Sequence, residues 1–188
     1  MIDREKAKNK FLENVERLSY LPFVTDSEMD GLFGEDVSVA LMKLDHYNRR
    51  EQVCVRCESR CCQATGCEFY AVQFTKCPIH DLRPAFCRLH FCSRFQPAMG
   101  SLTAELSEIF LDNLSLAEHD GCAAVQLFDS PPFARHTPDL INVTSLLVNA
   151  VREGRLDPQY AEVEIHQDAE KYLAARISGL MELHREQG

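Results

Sequence analysis

The amino-acid sequence predicts a mostly α-helical domain that contains an irregular, cysteine-rich insert between about residues 52 and 97. Three observations lead to this prediction. Apolar residues recur at helical spacing on both sides of the insert, strand signals are weak, and eight of the nine cysteines lie between Cys54 and Cys92. The length of 188 residues suits one domain, and a hydrophobic fraction of 45% allows a core without cross-links. We therefore expect a single domain over residues 1–188, with the insert between flanking helices.

Two amphipathic helices are predicted before the insert. The first covers residues 3–21 and ends before Pro22, which cannot continue a helix. The second covers residues 35–50. Their apolar stripes consist of Phe11, Leu12, Val15, Leu18 and Leu21 in the first helix and of Val37, Leu41, Leu44 and Tyr47 in the second.

Three further helices are predicted after the insert. The first covers residues 101–118, with Ser101 as its N-cap and a stop at Gly121. The second begins at Thr137, where a capping residue precedes a proline, and ends near residue 153. The third begins at Asp157 and carries Tyr160, Val163 and Ile165 among its apolar residues. Between the first two helices, residues 123–128 are a candidate strand and residues 129–136 a loop.

Charge and composition exclude several classes of function. The formal net charge is −9, which argues against nucleic-acid binding because that function usually requires a basic surface. The sequence holds no uninterrupted apolar run near about 18 residues, so we expect no membrane span. The charged N-terminus lacks the apolar core of a secretory signal, so we expect a cytoplasmic protein.

The cysteine spacing indicates a metal centre. Two residues separate Cys54 from Cys57, and this spacing lets both sulfur atoms bind one ion, as in zinc knuckles and iron–sulfur loops. The segment is also locally basic, with five cationic and three anionic side chains, which suits anionic thiolates. A secreted disulfide framework is an alternative interpretation, but clustered cysteines in a reducing compartment more often bind metal. The candidate ligands are Cys54, Cys57, Cys61, Cys62, Cys67, Cys77, Cys87 and Cys92.

The number of thiols favours an iron–sulfur cluster, whereas two histidines keep zinc open. Four ligands suffice for one [4Fe–4S] cluster or one zinc ion, so eight thiols indicate either two sites or additional thiols near one site. Cys77 and Cys87 are each followed three residues later by a histidine, His80 and His90, a spacing that suits zinc. Cys92 is a weaker candidate ligand, and Cys122 lies too far along the chain to belong to the cluster.

The pattern from Cys54 to Arg88 resembles the YkgJ family of cysteine-cluster proteins, described as a zinc- or iron-chelating domain. The opening Cys54, Cys57, Cys61 and Cys62 match the family's CxxCxxCC element, and residues 77–88 match its closing element, which ends in RPxxCR. The chain departs from the family at two places. Three residues instead of two separate Cys57 from Cys61, and His80 stands where tyrosine is usual.

These observations predict a metal-binding protein, with an iron–sulfur cluster, [4Fe–4S], preferred. We expect it to act in electron transfer, or as an accessory or maturation factor of a larger system, and to have a protein partner. The alternative is a zinc-organised interaction module. An enzyme related to methyltransferases ranks lower: a similar cysteine motif occurs in flagellin lysine-N-methylases, but the chain shows no methyl-donor motif. Arg88 is a candidate hydrogen-bond donor to cluster sulfur or a partner of Asp81.

Overall fold

The computed structural model describes residues 2–20, 23–58, 60, 63, 66–82, 85–88, 93–114, 118–119, 122–123 and 138–186. This part of the chain is mostly α-helical, which confirms the predicted fold class. It divides into two compact units, one formed by residues 1–57 and 83–136 and the other by residues 58–82 and 137–188. The extent of a single domain over residues 1–188 stays a prediction.

The first unit contains the N-terminal helices and one long helix that follows the cysteines. Its helices are α1 (Arg4–Tyr20), α2 (Asp26–Phe33), α3 (Glu35–Glu51), α4 (Val53–Arg56), α5 (Ala85–Arg88) and α6 (Gln96–Leu114), with a 3₁₀ turn at Ser93–Phe95. Two short strands, β1 (Glu118–His119) and β2 (Cys122–Ala123), pair in antiparallel register.

The second unit contains a 3₁₀ turn at His80–Leu82 and two helices, α7 (Pro138–Arg152) and α8 (Pro158–Glu186). Helix α7 ends at Arg152, and the chain turns away at Gly154. Gly154 has a φ of +70°, a conformation that glycine adopts without steric cost. Helix α8 begins after Asp157, whose side chain accepts a hydrogen bond from the Tyr160 N–H at 2.9 Å. Both boundaries agree with the sequence prediction. No helix within the described ranges is long and apolar enough to cross a lipid bilayer.

Three aromatic rings occupy the centre of the first unit. Phe11 of α1, Phe33 of α2 and Phe110 of α6 are almost completely buried. The ring of Phe110 meets those of Phe11 and Phe33 edge-on, each at a centroid distance of 5.1 Å. Such T-shaped pairs add to the stabilisation from apolar burial. The predicted stripes are confirmed where side chains are described, since Val37, Leu41 and Leu44 of α3 belong to the same core.

Helix α2 was missing from the prediction, although its N-terminus carries a recognisable signal. Thr25 and Glu28 form a capping box, in which the Thr25 hydroxyl accepts from the Glu28 N–H and the Glu28 carboxylate accepts from the Thr25 N–H. Met29, Leu32 and Phe33 are then buried on one face of the helix. The helix has only 8 residues, so its apolar repeat is too short to stand out.

Replacing Thr25 with alanine is expected to lower the free energy of unfolding by about 0.5–2 kcal/mol. The substitution removes the acceptor of the Glu28 N–H at the start of α2. Urea unfolding followed by circular dichroism measures the change. Ser27→Ala is the matched control because Ser27 is exposed on the same helix. Equal losses of unfolding free energy in the two variants would show that the Thr25 cap does not stabilise α2.

The predicted start of the first helix after the insert is wrong. Helix α6 begins at Gln96, so Ser101 lies inside the helix and is not its N-cap. The helix extends towards the N-terminus because Pro97 falls in its first turn, where a missing N–H costs no hydrogen bond. In α8, Tyr160 and Val163 are exposed, and the buried face is formed by Ala161, Glu162, Ile165 and Ala169.

Several other predictions fall partly or wholly on residues that the structure does not describe. The proposed stop at Gly121, the N-cap at Thr137 and the loop at residues 129–136 all lie outside the described residues. Of the candidate strand at residues 123–128, only Ala123 is described, and it belongs to β2.

Candidate metal centre

The first pair of candidate ligands, Cys54 and Cys57, lies on a single helical turn. Cys54 is part of α4, and Cys57 follows directly with helical dihedral angles, φ −85° and ψ −8°. The Cys57 N–H donates to the carbonyl of Val53 at 3.1 Å and to that of Cys54 at 3.2 Å. Residues three apart on a helical turn face the same side. The described backbone therefore brings the two cysteines to the same side of one turn.

A buried asparagine connects this turn to helix α3. Asn48 is buried, and its side-chain oxygen accepts a hydrogen bond from the Cys54 N–H at 3.0 Å. Helix α3 ends at Glu51 and is capped by Gln52, which has left-handed dihedral angles, φ 50° and ψ 39°. Asn48 thus reaches past the end of its own helix and sets where the next turn, with its two cysteines, begins.

Left-handed backbone occurs on both sides of the chelating pair. Among the described residues other than glycine, only Gln52 and Glu58 have positive φ, 50° and 55°. Gln52 precedes α4 and Glu58 directly follows Cys57. For such residues this conformation costs on the order of 1–3 kcal/mol and is enriched at ligand-binding sites. The sequence gives no sign of these two positions, because neither is occupied by glycine or asparagine.

Cys87 lies on α5, which an arginine ties to the rest of the first unit. Arg88 donates to a carboxylate oxygen of Asp26 at 2.9 Å, and its Nε lies 4.0 Å from the carboxylate of Asp45. Only 11% of the Arg88 side chain is exposed, so it is not an ordinary surface arginine. Its observed partners are therefore at the start of α2 and on α3, a pairing that the sequence analysis missed. Hydrogen bonding from Arg88 to cluster sulfur stays a prediction.

In the second unit, Cys67 and Cys77 lie in a segment made of consecutive tight turns. The N–H of Tyr70 donates to the carbonyl of Cys67, and the N–H of His80 donates to that of Cys77, both at 3.1 Å. Both cysteines are half-buried. Partial burial raises the pKa of the neighbouring Glu68 carboxyl above its ordinary value.

Hydrogen bonds from α7 and α8 hold the same segment. Arg152 donates to the Tyr70 carbonyl at 2.6 Å, and Gln73 donates to the Arg152 carbonyl at 3.4 Å. The buried carboxylate of Glu162 accepts from Thr75, and His166 contacts the Pro78 carbonyl. Sequence analysis did not identify Arg152, Glu162 or His166, since each contact spans about 80 residues or more.

The predicted ligands are divided between the two units. Cys54, Cys57 and Cys87 belong to the first unit, and Cys67 and Cys77 to the second. All five are thiols rather than disulfides. Within the described residues, no three histidine, cysteine, aspartate or glutamate side chains are close enough to hold a metal ion. Cys61, Cys62, Cys92 and His90 lie outside the described residues.

Comparison with protein-family models, with curated proteins and with solved structures gave no match. The resemblance to the YkgJ family therefore stays a prediction. No relative supplies a ligand set, so candidate ligands are assigned from the chemistry and local geometry of this chain alone. In the described part of the Cys54–Cys92 segment, the candidate donors are cysteine thiols and the His80 ring. Sulfur and nitrogen donors suit iron–sulfur clusters and zinc better than magnesium or calcium, which prefer oxygen.

Proposed function

We propose that the segment from Cys54 to Cys92 binds a metal centre through its thiolates, and that this centre is an iron–sulfur cluster, with [4Fe–4S] preferred. The observation that supports this most directly is the Cys54–Cys57 turn. In this turn Cys54 and Cys57 lie on the same side of the helix, Asn48 ties the turn to α3, and left-handed residues flank it on both sides. A backbone so constrained over the seven residues from Gln52 to Glu58 is expected where two side chains must point to one ligand.

An iron–sulfur cluster suits the donors better than a single zinc ion. Iron–sulfur clusters take four thiolates, and the segment offers eight cysteines, of which five are described and all five are thiols. The function that follows is electron transfer, or an accessory or maturation role in a larger system that has a protein partner. A cytoplasmic location is part of this proposal, because clustered thiols persist as ligands in a reducing compartment.

A zinc-organised interaction module is the second candidate, and one observation favours it. His80 follows Cys77 by three residues, and the hydrogen bond from the His80 N–H to the Cys77 carbonyl closes a turn between them. Both side chains are half-buried. A cysteine and a histidine joined by one turn are common ligands of structural zinc. In this case the metal would stabilise the fold and the partner would bind the surrounding surface.

Metal analysis of protein purified without oxygen tests both candidates. An iron–sulfur protein is expected to be brown, to absorb broadly in the visible range, and to contain iron and acid-labile sulfide in equal amounts. Stoichiometric zinc without sulfide would favour the zinc module, and a chelator should then unfold the segment around Cys77. Protein that contains neither metal, and that takes up neither after reconstitution with iron and sulfide or with zinc, would refute metal binding.

A further inference from the structure

We propose that Glu162 and His166 of helix α8 are positioning residues for Cys77. They hold the backbone on either side of this cysteine, so that its thiol is pre-organised before a metal binds. The inference rests on the proposed metal-binding function and deepens it. It adds residues that are more than 80 positions away from Cys77 and that do not themselves bind the metal.

Glu162 holds the chain just before Cys77. Glu162 is almost completely buried, with a relative exposure of 5%. Its carboxylate accepts hydrogen bonds from three donor groups of Thr75 and Lys76. The Thr75 N–H donates at 2.6 Å, the Thr75 hydroxyl lies 3.0 and 3.1 Å from the two oxygens, and the Lys76 N–H donates at 3.4 Å. Burying a carboxylate is costly unless it is well hydrogen-bonded. The carboxylate therefore strongly favours this one arrangement of residues 75 and 76.

His166 holds the chain just after Cys77. Its Nδ1 lies 3.1 Å from the Pro78 carbonyl oxygen, which can only accept, so Nδ1 carries the hydrogen and donates. Its Nε2 lies 3.4 Å from a carboxylate oxygen of Glu170, one turn further along α8. Glu162 and His166 are four residues apart, so they lie on the same side of the helix. Together they contact residues 75, 76 and 78 and leave Cys77 between them.

This arrangement has a consequence for metal affinity. A ligand in a mobile loop must be ordered when the metal binds, and the lost conformational freedom weakens binding. Anchoring the backbone on both sides of Cys77 removes most of that cost beforehand. Residues that orient ligands in this way typically change metal affinity by about 10–100-fold when they are replaced. Glu162 is then a determinant of metal affinity although it touches no metal.

The test compares Glu162→Ala and Glu162→Gln with a control, Glu164→Ala, in the full chain. Glu164 lies two residues away on α8 and contributes none of the contacts to residues 75–78 described above. In reduced, metal-free protein, the alkylation rate of each cysteine by iodoacetamide is read by peptide mass spectrometry. Glu162→Ala is expected to accelerate alkylation of Cys77 relative to the buried Cys57 of the other unit. Glu162→Gln retains an acceptor for the Thr75 N–H and should change the rate less.

The same variants are then titrated with Zn²⁺ against a chromophoric chelator. Glu162→Ala is expected to bind zinc about 10–100-fold more weakly than the unsubstituted protein, and Glu164→Ala equally well. Thr75→Val, at an exposed position, removes only the hydroxyl contact. It should raise the alkylation rate of Cys77 and lower the zinc affinity, each by less than Glu162→Ala does. It keeps the inference testable if Glu162→Ala does not fold.

Two outcomes separate this inference from the proposed function. Unchanged alkylation of Cys77 in Glu162→Ala and Thr75→Val, or acceleration of Cys57 and Cys77 alike, would overturn the positioning role. Failure of the unsubstituted protein to bind any metal would instead overturn the proposed function, on which the positioning role rests. Because alkylation is measured without metal, the two failures are distinguishable.

Discussion

Replacing Phe110 with alanine is expected to lower the free energy of unfolding of the first unit by about 3–5 kcal/mol. Phe110 of α6 has no exposed surface and packs edge-on against both Phe11 and Phe33, at centroid distances of 5.1 Å. Truncation removes two aromatic contacts and leaves a cavity between three helices. Such cavities collapse only partly, which is why the loss exceeds the transfer free energy of the removed atoms.

Urea unfolding of reduced, metal-free protein measures this change, since bound metal would add its own stabilisation. Met42→Ala is the matched control in the same unit. Met42 lies on α3 with 40% of its surface exposed, and its replacement is expected to change the unfolding free energy by less than about 0.5 kcal/mol. A loss under about 1 kcal/mol for Phe110→Ala would contradict the placement of this ring at the centre of the core.

Replacing Cys54 and Cys57 together with serine is expected to remove bound metal from the protein. Serine is close to cysteine in size but does not supply a thiolate, which is the group that binds zinc and iron–sulfur clusters. The loss of affinity should exceed the about 10–100-fold that is typical when a residue supporting a ligand is replaced. Metal and sulfide are measured per chain after purification without oxygen.

Cys122→Ser is the control for this experiment, because the same chemical change then falls outside the segment, on β2. It is expected to leave metal content unchanged. Circular dichroism should show that the double variant keeps its helices, since neither cysteine belongs to the core cluster that contains Phe11, Phe33 and Phe110. Full metal content in the Cys54→Ser/Cys57→Ser protein would exclude this pair from the ligands and would contradict the main support for the proposed metal centre.

The sequence by itself determined the fold class and most helices. An apolar repeat of sufficient length indicated the positions of α1 and α3, and proline and glycine indicated the limits of α7 and the start of α8. The start of α6 and the whole of α2 were missed, although the capping box at Thr25 is a local signal. Long helices are predictable because their signal repeats over several turns, whereas a short helix depends on a few residues at its cap.

The sequence also led to the prediction of metal-binding chemistry, since the spacing of Cys54 and Cys57 is typical of chelating pairs. Only the tertiary structure decided which residues hold the backbone near Cys54, Cys77 and Cys87 in place. Asn48 binds the Cys54 N–H across the end of α3, Arg88 reaches Asp26 over 62 residues, and Glu162 reaches Thr75 over 87. Contacts at such separations leave no periodic trace, because a single polar side chain makes each one and the fold alone brings its partner near.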